Sequence, residues 1–253
     1  MSKSKFYLCA GIATVILLPS LQPVAQAQMD GGYPNLAPST MDTYMSSHIG
    51  NLSVGSVVRR NRASIGRKAV PIAPKLGSRS STATTYRSTP AVTQKVIRQY
   101  ISWARTQSPK EADSLKSVFA RYNPVQIWSG SVKSDGLKTG DVTDSLAAYW
   151  ILNYLIANQK TQNTKAQALA VRDQVRPLLS SASRLTSAQK QELSEVWMVN
   201  FVVQQGAFSA AMKSRDKALM QKLSDSAVTR FQNELGVNLR TLQLTDEGFV
   251  AKT

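Results

Sequence analysis

The chain has 253 residues, in which 31 Lys and Arg outnumber 15 Asp and Glu, and it contains one His and one Cys. Because His48 falls in a polar, low-complexity stretch and Cys9 near the N-terminus, the sequence offers no credible base for a Ser-His-Asp or Cys-His triad and no usual zinc ligand set. It contains neither a GxGxxG nor a GxxxxGK[ST] phosphate loop, so we expect no nucleotide and no other cofactor.

Residues 1–27 have the three-part layout of a signal peptide. Lys3 and Lys5 precede an apolar run at 6–18, which is shorter than the roughly 20 residues of a membrane span. Ala25-Gln26-Ala27 then supplies the small-x-small pattern that signal peptidase cleaves. A lipoprotein is a weaker alternative, because Cys9 lies inside the apolar run instead of after it. We therefore expect a periplasmic or secreted protein with no transmembrane span in its mature form.

The expected mature chain is strongly basic and has no cysteine. Without Lys3 and Lys5, 29 basic residues face 15 acidic ones, which gives a formal charge of +14. No disulfide is then possible, so stability must come from burial. Such a charge favours anionic partners: lipopolysaccharide, teichoic acid, anionic lipid, acidic polysaccharide or extracellular DNA. The alternative is that the charge serves solubility alone.

Residues 28–90 are rich in Ser, Thr, Gly, Pro and Arg and show no sustained periodicity, which predicts a disordered basic linker. The stretch carries eight basic residues against Asp30 and Asp42. Such an arm can adhere to a polyanion without a shaped pocket. Arg59, Arg60 and Arg62 are the binding candidates in this segment.

Residues 91–253 are predicted to form one helical domain, an all-α bundle of five to six helices. Apolar positions from 92 to 104 recur at helical spacing. Ser108-Pro109-Lys110-Glu111 predicts the start of a second helix, with Ser as the cap and Glu returning the bond. Thr164-x-x-Gln167 and Thr186-x-x-Gln189 are capping-box patterns before two later helices.

The middle of the domain is predicted to hold a long turn-rich loop, from residue 123 to about 144, that leads into a buried central helix. Pro124, Gly130 and Gly140 indicate the loop, and residues 145–157 are apolar nearly all round. Farther along, Pro177 should end or kink the fourth helix and Gly236 should cap the sixth. The tail, 237–253, is expected to pack back as an extended segment.

Two short motifs resemble an uncharacterised family of exported bacterial proteins. The first is Asp135-Gly136-Leu137 followed by Asp141-Val142-x-Asp144-x-Leu146-Ala147-Ala148-Tyr149-Trp150, and the second spans residues 236–249. The resemblance covers about residues 92–251 and leaves the linker out. It implies a single helical domain outside the cytoplasm and brings no activity, ligand or catalytic residue with it.

Carboxylates are the only catalytic groups that the composition leaves. The candidate residues are Asp135, Asp141 and Asp144, with Trp128, Tyr149 and Trp150 as rings on which a sugar can stack. Two carboxylates at suitable separation hydrolyse glycosidic bonds, so a cell-wall or glycan hydrolase is the alternative function. The structural interpretation is better supported, since Asp-Gly indicates a turn and Asp141 or Thr143 can cap the central helix.

Other polar residues in the helical region are expected to be structural. Glu192 and Glu195 suit a helix start, and Asn153 and Asn200 are expected to form a packed polar pair between two helices. Basic residues gather in two groups: Lys213, Arg215, Lys217 and Lys222, and Lys165, Arg172 and Arg176. They indicate either a polyanion-binding face or solvated helix surfaces. The sequence thus favours a non-catalytic binding or interaction protein of the cell envelope, with affinity for anionic polymer or lipid.

Overall fold

A computed structural model of the chain describes residues 84–252, apart from the side chains of residues 180, 181 and 234. This region contains seven α-helices, two 3₁₀ segments and one two-stranded sheet, so the all-α class is confirmed. The α-helices are α1 (Pro90–Gln107), α2 (Pro109–Arg121), α3 (Pro124–Val132), α4 (Val142–Ala157), α5 (Lys165–Val175), α6 (Ser187–Lys213) and α7 (Lys217–Leu235). The 3₁₀ segments are Arg176–Arg184 and Leu239–Thr241, and the strands are β1 (Leu242–Thr245) and β2 (Gly248–Ala251).

Helix α4 is the central helix of the bundle, as predicted. Fifteen of its sixteen residues are buried, and only Trp150 is partly exposed. Helices α5, α6 and α7 pack around it. A helix that is apolar on every side is buried only when neighbouring elements pack against all of its faces. The burial of α4 therefore organises the core.

Helix α3 occupies a stretch that the sequence assigns to a loop, and that prediction is wrong over residues 124–132. Asn123 caps the helix by accepting a hydrogen bond from the Val125 amide at 2.9 Å, and Pro124 lies in the first turn. Proline is favourable there because its fixed φ suits the helix and its missing N–H would have no partner. Ile127 and Trp128 are buried on this helix. The extra helix accounts for seven helices where five to six are predicted.

The capping boxes at Thr164 and Thr186 are confirmed, since each threonine exchanges hydrogen bonds with the residue three positions on. Ser108 also precedes α2 as predicted, but its side chain makes no capping bond. The same residue ends α1, where its amide donates to the carbonyl of Ala104 at 2.9 Å. At the junction of the two helices, Ser108 therefore bonds through its backbone amide, and its side chain does not cap α2.

Two predicted helix ends are also confirmed. Helix α5 ends at Val175, and Pro177 lies in the following 3₁₀ segment. Gly236 ends α7 in the left-handed conformation, with φ at 71°. Helix α6, by contrast, runs through Gly206 without interruption for 27 residues.

Helices α1, α4 and α6 run in the same direction. Thr93 of α1 bonds to Glu195 of α6, and Thr89, four residues earlier, bonds to Gln191, four residues before Glu195. Positions that increase together along both helices require a parallel pair.

The same test applies to α4 and α6. Ser194 of α6 donates to Ser145 of α4. Farther along, the buried Arg230 donates to both Asn153 of α4 and Gln204 of α6. These two helices are therefore parallel as well.

Helix α7 runs against α4. Arg230 of α7 bonds to Asn153 of α4, whereas Ser224, earlier in α7, bonds to the carbonyl of Ala157, later in α4. The bundle consequently has two distinct ends. At the first, which we name the capped end, α1, α4 and α6 begin. At the second, which we name the basic end, α4 and α6 finish and α7 begins.

The C-terminal residues form an antiparallel hairpin that packs on α5, in place of a single extended tail. Gln174 of α5 bonds to both the amide and the carbonyl of Phe249, at 2.8 and 2.9 Å, and so covers the outer edge of β2. The Tyr154 hydroxyl accepts from the Leu244 amide at 3.2 Å on the other edge. Side chains from the bundle thus close both edges of the sheet.

Within residues 84–252, no helix has both the length and the apolar character that crossing a bilayer requires.

Candidate functional site

Asp141 is the N-cap of the central helix. Its carboxylate accepts a hydrogen bond from the Thr143 amide at 2.8 Å, and only 8% of the residue is exposed. An aspartate in this position satisfies an amide that the helix leaves without a partner. Asp141 therefore has a structural task, one of the two capping arrangements that the sequence predicts.

Asp144 lies in the first turn of α4, and it is 2% exposed. Its carboxylate accepts from the Lys138 amide at 3.0 Å. Burial raises the pKa of Asp144 to about 6, and the hydrogen bond from Lys138 opposes that rise. The side chain thus holds the loop before α4 against the helix and carries a charge that the interior disfavours.

Asp135 is half-buried and bonds to the side chain of Asn163, in the loop before α5. Burial raises the pKa of Asp135, and the bond to Asn163 opposes the rise. Its hydrogen-bond partner therefore lies on a different segment from those of Asp141 and Asp144.

The three candidate sugar-stacking rings lie in or against the core. Trp128 is fully buried and Tyr149 is 2% exposed. Trp150 is partly exposed, with its ring edge-to-face on Phe231 at 5.8 Å between centroids. Trp128 and Tyr149 consequently offer no solvent-facing ring beside the aspartates in this structure.

The segment of residues 84–89, which we name the strap, crosses the capped end. The Thr84 carbonyl accepts from the Val142 amide at 3.1 Å, and the Tyr86 amide donates to the Gly140 carbonyl at 2.9 Å. The Arg87 amide donates to the Ser187 hydroxyl at 3.0 Å. The strap belongs to the sequence that is assigned to the linker, so the ordered part of the chain begins before residue 91.

A chain of hydroxyl groups runs from the strap into the bundle. Tyr86 donates to Ser194 at 2.8 Å, Ser194 to Ser145 at 2.9 Å, and Ser145 to the Val142 carbonyl at 2.9 Å. Burial raises the pKa of Tyr86 to about 12. Since each proton is committed to the next oxygen and the last acceptor is a backbone carbonyl, the chain contains no general base that could activate a serine.

Glu195 is a buried carboxylate of the capped end whose partners the sequence does not reveal. It is 1% exposed and accepts from Thr93 at 2.9 Å and from Gln191 at 2.8 Å, while burial raises its pKa. Gln191 also bonds to the backbone of Thr89. Glu192 points elsewhere and pairs with Lys95 at 2.8 Å. In the sequence, the only indication of this buried site is that Gln191 and Glu195 lie one helical turn apart, just before the apolar run that starts at Val196.

Asn153 and Asn200 do not form the polar pair that the sequence predicts. Their amide groups donate to carbonyls one turn earlier in their own helices, those of Tyr149 and Val196, both at 2.8 Å. Near Asn153, α4 and α6 are linked instead through Arg230, which donates to both Asn153 and Gln204. A long side chain from a third helix thus makes the contact, which helical periodicity cannot indicate.

The exposed charges of the described region are mostly positive. Among residues 84–252, seventeen exposed residues are Lys or Arg and six are Asp or Glu. Asp141, Asp144 and Glu195 contribute to this imbalance because they are buried. The surface is therefore more basic than the composition of the region alone implies.

The two predicted basic groups differ in their surroundings. Lys213, Arg215, Lys217 and Lys222 are all exposed around the junction of α6 and α7. In the other group, Arg172 and Arg176 are half-buried and both pair with Asp173, at 3.2 and 3.5 Å. All four charges of the first group are thus exposed, whereas in the second group only Lys165 is exposed. Arg59, Arg60 and Arg62, like the leader 1–27 and the linker up to residue 83, lie outside the described residues.

The described residues contain no group of three or more His, Cys, Asp or Glu side chains arranged to hold a metal ion. The model of a family of unknown function, DUF6683, matches residues 10–252. The chain belongs to this family. No curated protein and no solved structure matches the chain.

Membership of DUF6683 confirms the resemblance to a family without a known activity. The match also changes its extent, because it begins at residue 10 and includes the linker that the resemblance was expected to leave out. The family model therefore extends over the linker as well as over the helical region.

Proposed function

We propose that this chain is an exported, non-catalytic binding protein of the bacterial cell envelope that attaches to anionic partners through exposed lysines and arginines. The observation that carries the proposal is the excess of seventeen exposed basic residues over six exposed acidic ones within residues 84–252. A surface of one predominant sign attracts ligands of the opposite sign over several ångströms.

The burial and the hydrogen bonds of the carboxylates favour a binding function over glycan hydrolysis. A hydrolase needs two carboxyl groups that face one glycosidic bond, one of them free to donate a proton. Asp141 is committed to the cap of α4, Asp144 to the Lys138 amide, and Glu195 to Thr93 and Gln191. These three are at most 8% exposed, so a polymer cannot reach them without opening the capped end. Asp135, the remaining candidate, is half-buried and bonds to Asn163, and the two other candidate aspartates are too buried to act with it on one glycosidic bond.

The basic linker and the leader support the same proposal. Residues 28–83 carry seven Lys and Arg, and the leader predicts that they work outside the cytoplasm. In that compartment the abundant polyanions are envelope polymers and anionic lipid heads. The linker then adds its cations to those that the bundle exposes.

The proposal is tested with the processed chain, residues 28–253, on an immobilised polyanion such as heparin. We expect retention that falls as salt rises, and no retention on an uncharged dextran resin of the same pore size. A variant with Arg59, Arg60 and Arg62 changed to Gln should elute at lower salt than the unchanged chain. Elution of the unchanged chain with the void volume at about 50 mM salt would contradict the proposed function.

A further inference from the structure

We propose that the basic end of the bundle is the docking surface, and that its partner is a polyanionic polymer and not a membrane. This inference rests on the proposed function, and it adds a place on the fold and a class of ligand. The surface is formed by six exposed residues: Lys160, Lys213, Arg215, Lys217, Lys222 and Lys252.

Specific contacts bring these residues to one end. The residue before Lys160, Gln159, bonds to Gln221 of α7 at 3.1 Å, which places the exit of α4 beside Lys222. Lys252 reaches the same exit through a bond of 3.3 Å to Asn158. The loop after α4, helix α7 and the residue after β2 thus each contribute a cation to one surface.

The junction of α6 and α7 adds the remaining cations. The amide of Asp216 donates to the carbonyl of Ala211 at 2.9 Å, so the chain turns sharply after α6. Lys213, Arg215 and Lys217 lie within this turn or beside it and are exposed. The turn therefore concentrates three positive charges within five residues.

The carboxylates of this end are already engaged. Asp216 accepts from the Leu219 amide at 2.9 Å as the N-cap of α7. Asp225 pairs with Arg240 at 2.5 Å, and this pairing lowers the pKa of Asp225. These two acidic side chains thus serve a helix start and a neighbouring arginine, beside six exposed cations at the same end.

Helix stability accounts for only part of this charge. Lys213 suits the end of α6, because cations are favourable at the negative end of a helix dipole. Lys217 is the first residue of α7, where a cation opposes the dipole, and the first turn of α7 contains no acidic residue. Arg215 adopts φ of 55°, a left-handed conformation that favours Gly or Asn. Two of the cations therefore stand where local stability favours other residues, which indicates a role in binding.

The chemistry of the surface favours a polymer over a membrane. Surfaces that bind a bilayer add large apolar side chains, which enter the boundary between headgroups and acyl chains. Within residues 84–252 the one exposed large apolar side chain is Tyr122, directly after α2. The five lysines at the basic end carry their charges on flexible stems that can follow spaced phosphates or carboxylates without a pocket.

The decisive experiment compares two triple variants of the processed chain. One changes Arg215, Lys217 and Lys222 to Gln at the basic end. The matched control changes one Arg and two Lys on α2 to Gln: Arg121, Lys110 and Lys116, which are also exposed. Binding to long-chain polyphosphate is measured by titration over a range of salt, and far-UV circular dichroism with thermal unfolding establishes that both variants are folded.

We expect the basic-end variant to bind polyphosphate roughly tenfold or more weakly at about 50 mM salt, with a salt slope that falls by about 1 for each lost cation. The α2 variant should lose no more than about threefold. A third variant, in which Lys217 and Lys222 become Arg, should retain binding. Equal losses in the two triple variants would overturn the location while leaving the proposed function intact.

Vesicles distinguish the two classes of partner. Phosphatidylglycerol vesicles that present the same concentration of accessible negative charge should bind the unchanged chain more weakly than polyphosphate does. Tighter binding to the vesicles would overturn the polymer assignment. If the unchanged chain binds neither probe, the proposed function fails, and this assignment fails with it.

Discussion

Replacing Asp144 with Asn should flatten the pH dependence of stability. Asp144 is almost fully buried, and its pKa is raised to about 6, from 3.8 for an ordinary aspartate. The folded protein therefore binds this proton more tightly than the unfolded chain does. The stability that follows from this difference is complete below the unfolded pKa, near 4, and is lost as pH rises through 6.

The raised pKa sets the size of the effect. A difference of about two pKa units corresponds to about 3 kcal/mol between fully protonated and fully ionised conditions. About 1.4 kcal/mol of this falls between pH of about 7.5 and about 5. The unchanged chain should gain at least this much stability on acidification, because burial also raises the pKa values of Glu195 and Asp135. Asn at position 144 can still accept from the Lys138 amide but cannot titrate.

Urea unfolding at the two pH values, followed by tryptophan fluorescence, measures this difference. We expect the gain in unfolding free energy on acidification to be about 1.4 kcal/mol smaller in Asp144→Asn than in the unchanged chain. Asp246→Asn, which removes an exposed carboxylate from the hairpin turn, is the control for lost charge. If Asp144→Asn retains the full pH dependence of the unchanged chain, burial of Asp144 is not the source of the effect.

Three further predictions, at Thr186, Ser194 and Gly248, test the local structure by thermal unfolding. Thr186→Ala should lower stability by about 1 kcal/mol because the capping box of α6 is lost, and Thr186→Ser should restore most of it. Ser194→Ala interrupts the hydroxyl chain beneath the strap and should cost about 1–3 kcal/mol; an unchanged midpoint would show that the chain contributes no stability. Gly248→Ala should cost about 1–3 kcal/mol, since φ is 102° and the new Cβ would lie 2.7 Å from a glutamine side-chain oxygen. Gly130→Ala, at an exposed position of α3, should instead stabilise by about 0.5–1 kcal/mol, and equal effects of the two alanines would refute the strain at position 248.

The sequence predicted the parts of the fold that local chemistry decides. Thr164 and Thr186 each cap a helix with the glutamine three positions on, so four consecutive residues contain the whole signal. The apolar run at 145–157 predicted the central helix because no solvent-facing position interrupts it. Gly236 likewise ended α7 where the helical pattern stopped.

Helix α3 was missed although its signals are also local. By residue type alone, Pro124 and Gly130 predict a turn, yet proline in the first turn after an Asn cap favours a helix. The spacing of the apolar residues Ile127, Trp128 and Val132 also fits one face of a helix. The presence of Pro and Gly therefore does not by itself predict a loop, because their position relative to the helix start decides whether they break the helix.

The capped end could not be predicted, because its contacts join residues about a hundred positions apart. Tyr86 lies in a segment whose composition indicates a linker, and only the bonds to Gly140 and Ser194 show that it belongs to the bundle. In the sequence, nothing distinguishes Glu195 from an ordinary helical carboxylate. Its hydrogen bond from Thr93 forms only because α1 packs beside α6. Such pairings depend on which helices are neighbours, and periodicity along one helix does not determine that.

The two ends of the bundle follow from one geometric fact, the shared direction of α1, α4 and α6. Three helix starts meet at the capped end, where the start of α4 favours the capping carboxylate of Asp141, and the side chains of Thr93 and Gln191 hold the buried Glu195. Asp141 and Glu195 are buried at this end, so they do not offset positive charge at the surface. The opposite end holds the finishing turns of α4 and α6, where lysines are favourable, and the start of α7, where Lys217 is not. A bundle that buries three of its carboxylates and exposes six cations at one end is suited to hold a polyanion there, and the variants at positions 215, 217 and 222 test that property directly.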